Sequence, residues 1–202
     1  GCYSFHARKN ITTGEGGMVV TNDETLITDI RERAFFGIPS AYTRAESTEA
    51  VIPNVEKLGF NYKMSDVQAT LGLTQLPRLA DIIKKRQVIA KQYDTLLANV
   101  EGVQTPATAE GCGHTYQSYV IVLKKGINRN KVITALKAKG VCAQFGTYAC
   151  SVQPVYKDNS VITDCPNSKM LFAQTLALPM YAELTEVEVK EVCEALQEVL
   201  HG

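Results

Sequence analysis

Ser4-Phe5-His6-Ala7-Arg8-Lys9-Asn10-Ile11-Thr12-Thr13-Gly14-Glu15-Gly16-Gly17-Met18-Val19-Val20-Thr21 is the stretch on which the reading of this chain turns. Cys2 to Ala7 reads as a strand, with Ser4 and His6 on one face and Tyr3 and Phe5 on the other. Three glycines at 14, 16 and 17 make a turn, and Met18 to Thr21 reads as the returning strand. A lysine taken alone is a solvated charge. Lys9 stands out because it lies just past a strand, beside a second cation (Arg8), and ahead of glycines that let backbone approach a ligand. A lysine amine is a nucleophile only when deprotonated, and desolvation or a neighbouring cation favours that state. Such an amine bonds covalently to aldehydes. The glycines match neither a nucleoside triphosphate loop nor a dinucleotide fingerprint.

Working outward, Asn22 and Asp23 cap a predicted helix over 23–36, stopped by Gly37 and Pro39. Residues 37–57, with Pro39, Pro53 and Asn54, have no period and read as a long loop. Ser65 and Gln68 form a capping box opening a helix to about Asn99, which Pro77 should kink or divide. Leu71, Leu79, Ile82, Ile83, Ile89 and Tyr93 recur at helical spacing along it. The last hundred residues read as an α/β unit. It has a strand at 119–123, a helix at 130–139, a second strand at 141–147, a helix at 167–176, a short apolar run at 176–178, and a helix opened by the Thr185/Glu188 capping box.

Composition narrows the classes. The 202 residues carry 21 Lys plus Arg and 21 Asp plus Glu, so the broad positive field that nucleic acid or anionic lipid requires is missing. No apolar run reaches membrane-spanning length, and the opening residues carry no basic n-region, so a cytoplasmic protein is expected. The six cysteines form no Cys-x-x-Cys pair and no zinc-finger spacing, and read as reduced thiols with no metal.

Ser4 to Ile11 with Gly14 to Asp23 resembles the active-site segment of the DegT/DnrJ/EryC1/StrS family, sugar aminotransferases dependent on pyridoxal 5′-phosphate (PLP). Leu58 to Ala69, with Gly59-Phe60-Asn61-Tyr62-Lys63, is similar to that family's Gly-Tyr-Asn-Tyr-Arg segment and the helix after it. Gln153-Pro154-Val155-Tyr156 and Leu178-Pro179-Met180-Tyr181 resemble it further on, in family order. Two places depart from the pattern: Lys63 stands where arginine is common, and Gly146 to Ser151 replaces a segment richer in His and Pro.

The resemblance implies a type I aminotransferase fold, α/β throughout. Residues 1–58 would be the C-terminal part of the PLP-binding large domain, 59–100 an interface loop and long connecting helix, and 101–202 the small C-terminal domain. The N-terminal part of the large domain would lie outside this chain, so the chain alone would be inactive. By resemblance, Lys9 holds PLP covalently and moves the proton, Ser4 bonds its phosphate, and Asn61 reaches the phosphate of the partner subunit's cofactor. The implied activity is transfer of an amino group, from glutamate, to a nucleotide-linked keto-deoxysugar for polysaccharide or antibiotic synthesis, in a homodimer. A dehydratase branch has histidine in place of Lys9, so Lys9 points away from it.

Other residues stay open. His6 either lines the cofactor pocket or is a bonded, half-buried histidine. His114 and Tyr116 resemble a segment that can approach substrate, and Glu15 reads as a pocket acid or an ion-pair partner. Lys84-Lys85-Arg86 and Lys137 to Lys139 read as solvated helix faces. The competing readings are a non-catalytic regulator or binding module on the same fold, and a thiol-based redox protein.

Overall fold

The computed structural model describes residues 1–39, 52, 54–156 and 165–201. The predicted loop over 37–57 lies largely outside the described residues, at 40–51 and 53. The chain divides into two compact units, Gly1–Leu79 and Ala80–Gly202.

The first unit opens with β1 (Cys2–Ser4) and β2 (Gly17–Val19), antiparallel with Tyr3 opposite Met18. β1 is shorter than predicted. Phe5 N–H still donates to Gly16 O at 2.8 Å, but the chain then turns, with Lys9 N–H donating to His6 O at 2.9 Å. His6 therefore leaves the strand, and the predicted shared face with Ser4 does not form. α1 (Glu24–Ala34) starts at Asp23, whose side chain accepts from Leu26 N–H. It ends two residues before the predicted stop, because Phe36 adopts a left-handed conformation (φ 60°) and Gly37 N–H returns to Glu32 O at 2.9 Å. Gly37 then crosses Gly59 backbone to backbone. A Cβ on Gly37 would collide with the Lys57 carbonyl, and one on Gly59 with the Gly37 nitrogen.

The predicted long helix is divided as Pro77 requires. α2 (Asp66–Gln75) gives way to a 3-10 turn at Leu76–Arg78, and α3 (Leu79–Leu97) follows. The Ser65 capping box is formed in full.

The second unit is a four-stranded antiparallel sheet in the order β3 (Val103–Gln104), β4 (Tyr119–Leu123), β6 (Thr175–Leu178), β5 (Gln144–Phe145). In β4 every second residue, Tyr119, Ile121 and Leu123, is buried, the period expected of a strand with one face on a core. Helices α4 (Arg129–Ala138), α5 (Pro166–Gln174) and α6 (Glu186–His201) accompany the sheet. Val132, Leu136, Val189, Val192 and Leu196 join Ile89, Tyr93 and Leu97 of α3 in the same core. The predicted strand at 141–147 shrinks to two residues because Val141 N–H is spent on closing α4, at 2.9 Å from Leu136 O. α5 ends at Gln174, and the run at 176–178 becomes β6, paired with β4.

Among the described residues every buried hydrophobic side chain lies in this second unit. The first unit leaves Tyr3, Met18, Val20, Leu58, Tyr62, Val67 and Leu73 exposed. No described helix is long and apolar enough to cross a membrane.

Candidate active site

Between β1 and β2 the chain makes an excursion over residues 5–16, with Lys9 on it. Phe5 O closes its base by accepting Thr13 N–H at 3.0 Å and the Thr12 hydroxyl at 2.9 Å. Thr13 is only 5% exposed, and its hydroxyl donates to Glu15 O at 2.8 Å. Lys9 is exposed, and its ammonium makes no hydrogen bond or ion pair among the described residues. Beside it, the buried Asn10 Oδ1 also lacks a hydrogen-bond partner there. Ser4 is exposed too. Its Oγ accepts His6 N–H at 3.3 Å, which leaves the hydroxyl proton free to donate outward.

His6 has a defined tautomer. Its Nδ1 accepts Arg8 N–H at 3.2 Å, so the neutral ring carries its proton on Nε2, 3.7 Å from Glu15 Oε1. His6, Ser4 and Lys9 are therefore joined through local backbone bonds, and Glu15 is a partner of His6.

Three residues of α2 at helical spacing receive the excursion. Gln75 takes Thr12 N–H on Oε1 at 3.2 Å and gives Nε2–H to Thr12 O at 2.7 Å. Gln68 Nε2 donates to Glu15 O at 3.0 Å. Between them Gly72 lets Thr13 pack closely, since a Cβ there would sit 3.1 Å from Thr13 Cγ2. Sequence reading missed Gln75 and Gly72. The signal was a polar and small stripe at i, i+4 and i+7 on a helix whose apolar residues Val67, Leu71 and Leu73 are left exposed.

Asn61 is placed from another direction. It pairs with Phe35 in an isolated antiparallel bridge, flanked by Phe60 N–H to Arg33 O at 2.6 Å and Tyr62 N–H to Ala34 O at 3.0 Å. Lys57 ties the same segment to α1, donating to Asp29 at 2.9 Å and Glu32 at 2.5 Å. Bonds from Arg33 and Lys57 hold the Asp29 carboxyl below its usual range. Lys63 lies 4.3 Å over the Phe35 ring, so the residue that departs from the family pattern is engaged as a cation over an aromatic face. Asn61 itself is exposed.

His114 and Tyr116 belong to the second unit. Tyr116 has φ 46°, an uncommon conformation for a bulky residue. Its N–H donates to His114 Nδ1 at 2.8 Å, and the rings lie 4.2 Å apart. His114 thus also carries its neutral proton on Nε2. Arg86 fixes the turn. It is 8% exposed, and one terminal nitrogen donates to Tyr116 O at 3.1 Å, Gln117 O at 3.3 Å and Met180 O at 3.0 Å. Burial lowers its pKa, with the charge of the Glu183 carboxylate acting in the opposite direction. The predicted solvated face at Lys84-Lys85-Arg86 is corrected at Arg86: it lies in the stripe of Ile82, Ile83, Ile89, Ala90 and Tyr93 and turns into the core.

Residues 1–197 match the DegT/DnrJ/EryC1/StrS aminotransferase family, and the chain belongs to it. It is 35% identical, over 99% of its length, to the spore coat polysaccharide biosynthesis protein SpsC of Bacillus subtilis (strain 168), of which it covers 53%. The solved aminotransferase TlmJ from Streptoalloteichus hindustanus superposes with a TM-score of 0.85 at 26% identity, over 99% of this chain and 51% of that one. Spr1654 from Streptococcus pneumoniae, solved in a PLP form, gives a TM-score of 0.81 at 24% identity, over 98% and 50%. The fold is thus the α/β fold of these aminotransferases, and the chain spans about half the length of the relatives it matches.

Proposed function

We propose that this chain forms the C-terminal portion of a PLP-dependent aminotransferase that aminates a nucleotide-linked keto-deoxysugar, with glutamate as amino donor. On this reading residues 1–58 complete the large domain, 59–100 carry the interface loop and connecting helix, and 101–202 are the small domain. The observation that carries the reading is Lys9: an exposed amine, without a partner among the described residues, on an excursion whose base is hydrogen-bonded shut. The exposed apolar residues of the first unit support completion by further chain, and family membership supports the activity.

The residues suit the cofactor. An amine is the group that bonds an aldehyde, and Ser4 offers a neutral hydroxyl donor to a phosphate oxygen. PLP supplies an electron sink for charge that develops on the donor's α-carbon. Lys9 would hold the cofactor covalently. Once freed by the amino donor, its Nζ would act as the general base that takes the α-proton and hands it on within the same half-reaction, and it would carry a proton the opposite way when the acceptor is aminated. Asn61 would donate its amide to the phosphate held by a partner subunit, in a cytoplasmic homodimer with shared sites. His114 and Tyr116 would meet the acceptor sugar from the small domain.

The test is spectroscopic. The full-length protein with PLP should show a visible absorbance band, and borohydride should fix the cofactor on Lys9. Lys9→Ala should lose both. A colourless wild-type protein would instead favour a non-catalytic binding or regulatory role.

A further inference from the structure

Lys9 has two tasks under the reading above, holding a cofactor and moving a proton, and both need its backbone held still. Proton transfer requires the amine within about 3 Å of the reacting carbon, and a 1 Å misplacement costs on the order of a hundredfold in rate. A side chain with four torsions meets that demand only from a fixed anchor.

The anchor is legible in the hydrogen bonds. The outgoing limb of the excursion, three residues past Lys9, is gripped at the Thr12 peptide by both ends of the Gln75 amide. The side chain thus behaves as a short neighbouring strand, accepting from N–H and donating to C=O. Its own rotamer is set by a bond from Nε2 to Leu71 O, 2.8 Å away and four residues back on α2. The returning limb is attached separately, through Gln68 at Glu15 O and the close packing of Thr13 on Gly72. The excursion would stay on α2 without Gln75. Thr12 is also held within the excursion by its hydroxyl bond to Phe5 O; what Gln75 adds is the tie of the Thr12 peptide to α2.

We propose that Gln75 is a positioning residue for Lys9, acting through the Thr12 peptide. This rests on Lys9 being the cofactor lysine, and the experiment separates the two claims. Gln75→Met removes both bonds at similar volume. Gln75→Glu keeps the acceptor for Thr12 N–H and loses the donor to Thr12 O. In the full-length protein four quantities are measured: borohydride labelling of Lys9, kcat and KM for glutamate, the kinetic isotope effect with α-deuterated glutamate, and amide exchange over residues 5–16.

Labelling of Lys9 should persist, and KM should stay within about threefold. In the Met variant kcat should fall about ten- to a hundredfold, with a smaller fall in the Glu variant. The isotope effect should rise as proton transfer becomes limiting, a change that general loosening of the fold does not produce. Thr12 exchange should quicken. Faster Thr12 exchange with wild-type kcat and isotope effect overturns the proposal, as does unchanged exchange. If both variants lose their far-UV circular dichroism, Gln75 serves the fold alone and the proposal falls. If wild-type Lys9 takes no label, the reading of Lys9 fails first. A labelled wild type with insensitive variants sinks Gln75 alone.

Discussion

Replacing Arg86 with methionine tests whether a buried cation bonded to backbone carbonyls stabilises this fold. The stem volume is retained, so the change isolates the guanidinium. Three carbonyls, of Tyr116, Gln117 and Met180, lose their donor in a region where Arg86 is 8% exposed. Hydrogen bonds from a charged group contribute about 1.5–3 kcal/mol each, but three from one nitrogen share its protons and fall well short of three times that. Against this stands relief from burying the charge, several kcal/mol in general, which the lowered pKa signals. The left-handed Tyr116 decides the sign, because its conformation depends on the carbonyl bond that Arg86 makes. We expect a net loss of about 2–4 kcal/mol, a fall of roughly 10 °C in the melting of the unit from Ala80 onward. Arg86→Lys should lose about half of that, since an ammonium replaces a planar fork. The chain has no tryptophan, so urea unfolding followed by tyrosine fluorescence reports on the buried Tyr93 and Tyr119. If Arg86→Met matches or exceeds the wild type in stability, desolvation outweighs the carbonyl bonds and the reasoning is wrong.

Two further outcomes follow from the same structure. The Thr185 N–H and hydroxyl hold the Glu188 carboxylate below its ordinary value of 4.5, so its contribution to stability is complete above that value and is lost as pH falls through the folded value. Thr185→Ala should destabilise by about 1 kcal/mol at neutral pH and flatten the acid limb of a stability–pH curve; an unchanged limb counts against the cap. Burial pushes the Cys193 thiol up to about 12, whereas Cys2, Cys112, Cys142 and Cys150 are exposed. Under native conditions a thiol reagent should modify those four and spare Cys193, as mass spectrometry would reveal. Rapid labelling of Cys193 would mean that the α6 core opens readily.

Much of the fold was legible because it rests on local chemistry. Both capping boxes sit where Ser65/Gln68 and Thr185/Glu188 place them, and Pro77 divides the helix as its missing N–H requires. What was not legible depends on partners far along the chain. The six-residue strand from Cys2 to Ala7 has the right alternation, yet bonds from Thr12 and Thr13 to Phe5 O end it early, and no local pattern announces those. Gln75 and Arg86 escaped for one shared reason. A polar residue on a helix is assigned to water by default, and only its place in a stripe of small or apolar neighbours says otherwise. Leu71 failed in the opposite sense: its spacing predicts burial, but it remains exposed. Lys9 stands out by its place beside Arg8 and ahead of the glycines, whereas the roles proposed for Lys9, Ser4 and Asn61 rest on family likeness, since an exposed hydroxyl or amide carries no periodic signal.

The uneven distribution of buried apolar side chains also governs how the molecule comes apart. Residues beyond Ala80 hold a continuous core, while the described residues before it include no buried hydrophobic side chain and are tied by backbone and side-chain hydrogen bonds. Denaturation should therefore proceed in two stages, the amino-terminal unit melting first and with a shallow slope, so that no single melting temperature describes the chain.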